Sequence, residues 1–162
     1  MKRIIKNVLT NNERKKLIKD YQSYLLDANQ LKKEFGDEDY PGKQTEANLQ
    51  NIPCFKDPID KIVFKIANVL KQHLVLQKAW INCTNGKKKD ISWHNHSHVP
   101  LTAVYYMKIF PLFSNGTLFK DGFIKTSQNS ILVTPGYLNH TAPSSPLRFD
   151  RYTLALDLAY NG

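Results

Sequence analysis

Apolar positions recur at two different periods along this chain, and the change of period divides it. Leu17, Ile18, Tyr21, Tyr24, Leu25, Ala28 and Leu31 fall at helical spacing. Thr10 with Glu13 three residues later reads as a capping box at the start, and Gly36 reads as a stop. Residues 37–56 carry no clear period and read as a polar connector. A second helix is predicted to open at Asp57-Pro58, with an apolar stripe of Ile59, Ile62, Val63, Ile66, Leu70 and Leu74. His73 lies beside that stripe near the helix end, where the dipole favours it, and is read as structural.

From Lys78 the period drops to two. Ala79–Cys83, a histidine-bearing segment near 93–98, Leu101–Ile109, Ser130–Thr134 and Arg151–Leu158 read as strands. Asn115-Gly116 and Asp121-Gly122 are two hairpin signals. Two amphipathic helices followed by short strands predict an α+β, mainly β protein, a β-barrel or jelly roll with both N-terminal helices packed against it. The expectation is one domain over 1–162, with 1–77 a helical support region and 78–162 the jelly-roll core.

Composition changes this picture little. With 162 residues, 41% hydrophobic and 11% aromatic, the chain is expected to fold around a real core. Cys54 and Cys83 are too few for a disulfide framework, which points to a reducing compartment. No apolar run approaches a membrane span or a signal peptide, so a cytoplasmic protein without membrane contact is expected. The net charge of +9 permits nucleic-acid binding without demanding it. The excess is spread along the chain, and Arg14-Lys15-Lys16 and Lys87-Lys88-Lys89 are its only runs of three.

The chemistry concentrates in Trp93-His94-Asn95-His96-Ser97-His98, where three of the five histidines occur. On an extended strand the three share one face, and converging imidazoles suit a divalent transition metal. A solvated polar strand is the plain alternative. Further on, His140 follows the Pro135-Gly136 turn signal, and Arg151 heads a strand whose Arg151, Thr153, Ala155 and Asp157 share a face opposite Tyr152, Leu154, Leu156 and Leu158. A guanidinium there is shaped to hold a carboxylate with two parallel hydrogen bonds, Thr153 adding a hydroxyl. The competing reading is an ion pair between Arg151 and an acid such as Asp157, further along the same face. Arg148 is a rival clamp but reads as a solvated loop residue. His94-Asn95-His96 spells the HNH nuclease motif, yet a strand follows where that motif needs a helix. A zinc deaminase would need a Cys-x-x-Cys pair that this chain lacks.

Taken in order, Trp80-Ile81-Asn82, Trp93-His94-Asn95-His96, Leu101-Thr102-Ala103-Val104-Tyr105-Tyr106, Gly136 with His140, and Arg151-x-Thr153 resemble the core of the iron(II)/2-oxoglutarate-dependent oxygenases. The likeness is narrower to a bacterial and phage group with a His-x-His element, and covers about residues 80–158. It implies a double-stranded β-helix binding Fe(II) and 2-oxoglutarate at one mouth. His94 would be the first ligand and His140 the closing one. Arg151 and Thr153 would hold the distal carboxylate of 2-oxoglutarate, and either Tyr105 or Tyr106 would hydrogen-bond the cosubstrate. His96 stands where most of that superfamily has aspartate, with His98 the alternative ligand. Three neutral imidazoles, Fe(II) and the 2-oxoglutarate dianion sum to zero rather than −1. The resemblance implies a dioxygenase that uses O2 to hydroxylate a substrate, with a protein side chain, as in prolyl hydroxylases, favoured. A nucleic-acid-modifying dioxygenase is the enzymatic rival. A cupin-like protein binding metal or a small acid without turnover is the non-catalytic one.

Overall fold

The computed structural model describes residues 1–26, 33–35, 42–85, 92–113, 115–142 and 149–161. Its first strand, β1 (Arg3–Lys6), leads into α1 (Asn11–Leu26). The capping box forms: the Thr10 hydroxyl accepts from the Glu13 amide at 3.2 Å and the Glu13 carboxylate accepts from the Thr10 amide at 2.8 Å. The predicted continuation through Ala28, Leu31 and Gly36 lies outside the described residues. Two short strands, β2 (Lys33–Phe35) and β3 (Gly42–Gln44), and a 3-10 turn at Leu49–Asn51 follow. The described part of the connector, from Gly42 on, therefore carries more structure than its lack of period suggests. β3 pairs with the longer β4 (Leu74–Asn85), and the fully buried Leu49 anchors the turn.

The second helix, α2 (Pro53–Leu70), opens four residues before the expected Asp57. Ile52 is extended and Pro53, whose ring presets a helical φ and whose missing N–H costs nothing there, takes the first helical position. Pro58 thus sits inside the helix. The helix also ends early, because Lys71 turns left-handed at φ 53°. Leu74 begins β4 instead, and His73 lies beyond the helix, where its carbonyl accepts from the Asn161 amide at 2.9 Å. The dipole argument for His73 accordingly falls away.

The remaining strands are β5 (Leu101–Lys108), β6 (Gly116–Phe119), β7 (Gly122–Lys125), β8 (Ser130–Pro135), β9 (His140–Thr141) and β10 (Asp150–Tyr160). The β6–β7 hairpin turns at Lys120-Asp121, with Gly122 opening β7 opposite Phe119, so the Asp121-Gly122 signal falls at the turn's end. Asn115-Gly116 makes no hairpin turn, since Gly116 opens β6 opposite Lys125. All neighbours are antiparallel, in a seven-stranded sheet ordered β1-β8-β5-β10-β4-β3-β2 and a three-stranded sheet ordered β7-β6-β9.

The large sheet has two faces with distinct tasks. Ala79 and Ile81 on β4, Ala103 and Tyr105 on β5, and Leu154 and Leu156 on β10 join Leu17 and Tyr21 of α1 and Phe55, Ile59, Ile62 and Ile66 of α2 in one core. The alternate residues of the same strands face the small sheet. Both faces of β10 are thus covered, and Arg151 through Leu158 are buried without a break. No helix among the described residues is long and apolar enough to cross a membrane.

Candidate metal centre

The pleat decides which side chains meet between the sheets. Trp80 and Asn82 of β4, Thr102 and Val104 of β5, and Arg151, Thr153 and Ala155 of β10 line one pocket. The small sheet closes it with Thr117 of β6 and His140 of β9. His94 and His96 enter from the segment before β5.

That segment is not a continuous strand. Only His94 pairs, in a bridge to His140 with amide-to-carbonyl distances of 3.1 and 2.9 Å in the two directions. The chain then turns. The Asn95 side chain accepts from the Ser97 amide at 3.2 Å, the His96 carbonyl accepts from Val99 at 2.9 Å, and Pro100 has no N–H to offer a ladder. His98 therefore leaves the face it was expected to share. Its Nε2 lies 3.0 Å from Asp157 Oδ2, and its side chain is 55% exposed. Gly136 makes the turn's docking feasible: it accepts from His96 at 2.8 Å, and a Cβ there would stand 2.2 Å from the Val99 carbonyl oxygen.

His94, His96 and His140 each offer one ligand atom, and these lie within 4.8 Å of one another. Nδ1 faces an oxygen in all three rings, by a hydrogen bond in His94 and His140 and by close approach of a carboxylate in His96. Ser92 O lies 2.8 Å from Nδ1 of His94, Leu138 O 2.9 Å from that of His140, and Asp157 Oδ1 2.9 Å from that of His96. Nε2 is then the nitrogen left to meet a cation, the arrangement in which an outer acceptor fixes tautomer and ring orientation. Burial lowers the pKa of His94 and takes that of His140 down to about 4, so both rings are neutral near pH 7. At Asp157 burial acts to raise the pKa, but the imidazole nitrogens of His96 and His98 beside the carboxylate prevail and hold it below the usual carboxylate value. Neutral imidazoles with free Nε2 lone pairs suit a first-row divalent metal. Trp80 stacks on the His96 ring at 5.5 Å and 19°, and His140 stacks on it at 5.4 Å and 11°.

Arg151, 4% exposed, reaches the same pocket from β10. Its Nη2 donates to Gly116 O at 3.3 Å, and its guanidinium lies 5.5 Å from the Tyr106 ring centre. Thr153 lines the pocket with it. The two tyrosines separate, as strand alternation requires. Tyr106 is buried on the Arg151 side, its hydroxyl 2.6 Å from Thr117 Oγ1. Tyr105 points into the helix-side core and donates to Asn129 at 2.7 Å, which takes it away from the pocket. Arg148 and Lys87–Lys89 lie outside the described residues. The ion pair considered between Arg151 and Asp157 is not the pairing of that carboxylate, which is directed at His96 and His98.

No protein-family model matches the sequence, and no curated protein matches it closely enough to count as a relative. Solved structures do match in shape. The non-heme α-ketoglutarate-dependent epimerase SnoN of nogalamycin biosynthesis superposes with a TM-score of 0.77 at 12% identity, over 97% of this chain and 76% of that one. The double-stranded β-helix of the 2-oxoglutarate-dependent enzymes is the fold of this chain. A viral collagen prolyl hydroxylase from Paramecium Bursaria Chlorella virus-1, in a 2-oxoglutarate complex, shares it at TM-score 0.69 and 14% identity, over 97% and 94% of the two chains. A prolyl hydroxylase from Trichoplax adhaerens, in complex with a hypoxia inducible factor peptide fragment, shares it at 0.70 and 13%, over 98% and 82%.

Several pocket residues of this double-stranded β-helix escaped the sequence reading. Trp80 and Asn82 belonged to the stretches that carry the resemblance but were given no place in the site. Thr117 was hidden behind the Asn115-Gly116 turn signal. Asp157 was on the right face, but nothing in the sequence tied it to His96 and His98.

Proposed function

We propose that this protein is an Fe(II)- and 2-oxoglutarate-dependent dioxygenase that hydroxylates an unactivated C–H bond, with a protein side chain as the favoured substrate. The observation that carries the reading is the meeting, in one pocket, of three inward imidazoles and a buried arginine on the next strand. His94, His96 and His140 would hold the metal. Arg151, with Thr153 beside it, would hold the far carboxylate of 2-oxoglutarate through paired N–H donors. Tyr106 buttresses that guanidinium through its ring, while Trp80 supports the His96 imidazole. The sheets on either side exclude water from the space between metal and arginine.

When bound, the metal and cosubstrate supply the oxidising chemistry: substrate, 2-oxoglutarate and O2 give hydroxylated substrate, succinate and CO2. The chain's own part is to bind, orient and desolvate. The protein-side-chain preference is supported by the two prolyl hydroxylases that share the fold, one of them in complex with a peptide. Exposed Trp93 and Tyr137 neighbour His94 and Gly136 on segments that the His96–Gly136 hydrogen bond joins, and offer a substrate flat apolar surfaces. The charge of +9 keeps a nucleic-acid substrate as the rival. Succinate release from 2-oxoglutarate, measured with and without Fe(II) in wild type and in His140→Ala, tests the reading. Metal-dependent succinate that the substitution abolishes is expected. Binding of metal and 2-oxoglutarate with no succinate, even with peptide or nucleic-acid substrates present, would instead make this a cupin-like binding protein.

A further inference from the structure

The three histidines are not equivalent. His94 and His140, bridged to each other, each direct Nδ1 at a main-chain carbonyl two residues back, Ser92 O and Leu138 O. Those acceptors are neutral. His96 directs Nδ1 at a carboxylate, Asp157 Oδ1 at 2.9 Å, on a side chain only 2% exposed. The other carboxylate oxygen is met by His98 Nε2 at 3.0 Å. Asp157 sits on the pocket face of β10, six residues beyond Arg151, and Trp80 and His140 hold the His96 ring in near-parallel stacks. Position 96 is also where the sequence lacks the expected carboxylate ligand.

We infer that Asp157 is a positioning residue that returns this missing negative charge to the metal centre from one shell out, through His96. The inference rests on the metal site proposed above. Three neutral imidazoles, a divalent cation and the 2-oxoglutarate dianion sum to zero, and Asp157 brings the total to −1. A carboxylate 2.9 Å from Nδ1 sets its charge against that nitrogen, which favours the His96 tautomer with Nδ1 protonated and the Nε2 lone pair inward. His98 completes the group by fixing the second carboxylate oxygen, a different task from ligation. The His-x-His element is then one ligand and one clamp, with Asp157 between them.

The test is metal binding, read without turnover. Co²⁺ is titrated into the metal-free protein and its visible ligand-field spectrum followed, alongside the melting temperature of each metal-free variant. Asp157→Asn keeps the shape and removes the charge. It should weaken Co²⁺ binding by about 10–100-fold, the usual effect of losing an outer-shell partner. In His96→Asp the ligand carries its own charge and leaves no imidazole for Asp157 to orient, so there Asp157→Asn should weaken binding much less than in wild type. This loss of coupling is the signature of Asp157 acting through the His96 ring. A purely structural Asp157 would shift the melting temperature of both metal-free proteins and leave Co²⁺ affinity the same in each pair. That result, or a weakening of equal size in both backgrounds, would overturn the inference. The loss of coupling with no succinate formed would uphold it while removing the oxygenase reading. Wild type that binds no Co²⁺ would remove both. Should Asp157→Asn fail to fold, Asp157→Glu and His98→Ala serve in its place. Loss of Co²⁺ binding on His98→Ala as complete as on His140→Ala would make His98 a ligand and overturn the inference.

Discussion

Arg151 and His140 make separable demands on the pocket. Arg151 lies among polar and aromatic groups, with Gly116 O accepting from Nη2 and the Tyr106 ring beneath the guanidinium. Lysine in its place keeps the charge but loses the planar fork, so it cannot hold a carboxylate through two parallel bonds. Arg151→Lys should weaken 2-oxoglutarate binding by at least about tenfold, since one charge-assisted hydrogen bond contributes about 1.5–3 kcal/mol. Metal affinity should change little. Calorimetric titration of 2-oxoglutarate into the metal-loaded variant checks this, and unchanged affinity would remove the clamp. His140→Ala should do the opposite, abolishing metal binding while the far-UV circular dichroism stays that of the folded protein. His140 sits on the two-residue strand β9, and its ring packs on His94, His96 and Phe119 rather than on the helix-side core.

Local chemistry explains both what was legible in the sequence at the level of elements and what was not. The parity of β10 could be read directly, because Arg151-Tyr152-Thr153-Leu154 alternates polar and apolar and a pleated strand leaves no other arrangement. The Thr10–Glu13 capping box was legible for the same reason: three residues suffice to define it. The histidine segment was misread because Pro100 and the Asn95 side chain break the strand, and their effect depends on Gly136, 36 residues beyond Pro100 and docked on the turn. At Gly136 a methyl group would stand 2.2 Å from Val99 O and 2.5 Å from His96 O, both backbone atoms that cannot rotate aside. Gly136→Ala should therefore cost about 1–3 kcal/mol and shift the His96 turn, and metal affinity should fall more than stability does. Thermal melts paired with Co²⁺ titration separate the two effects. At the other end, the Glu13 carboxyl is held at about 2 by Lys61 and Thr10, below its usual 4.5. A depressed carboxyl pKa stabilises the fold above about pH 4.5, and the gain is lost as pH falls toward 2. The Glu13 side chain is 34% exposed and solvent screens its pairing, so the effect is a fraction of a kcal/mol. The gap in melting temperature between wild type and Glu13→Gln should close over that window.

Across the whole molecule, β10 joins the candidate site to stability. It is bonded to β5 on one side and β4 on the other near the middle of the large sheet. Its even residues, Tyr152 to Leu158, fill the core against both helices, and its odd residues, Arg151 to Asp157, meet the pocket and its histidines. A ligand held by the odd residues therefore restrains the strand on which the core depends. Ligands that bind only the folded chain stabilise it by mass action, about 2.7 kcal/mol at a hundredfold excess over Kd. For a domain of this size each kcal/mol raises the melting temperature by roughly 2–4 °C, which predicts a rise of about 5–10 °C for each saturating ligand. The order of addition should matter. A divalent metal should raise the melting temperature by itself, and 2-oxoglutarate should add to that rise only once the metal is present, since its chelating end would rest on the metal and its far end on Arg151. In Arg151→Lys the metal increment should persist while the 2-oxoglutarate increment moves to higher concentration. In His140→Ala both should vanish. Differential scanning fluorimetry with metal, cosubstrate and both together reads all three proteins in one experiment. A 2-oxoglutarate increment that is equally large without metal, or that survives His140→Ala, would place the cosubstrate elsewhere on the molecule.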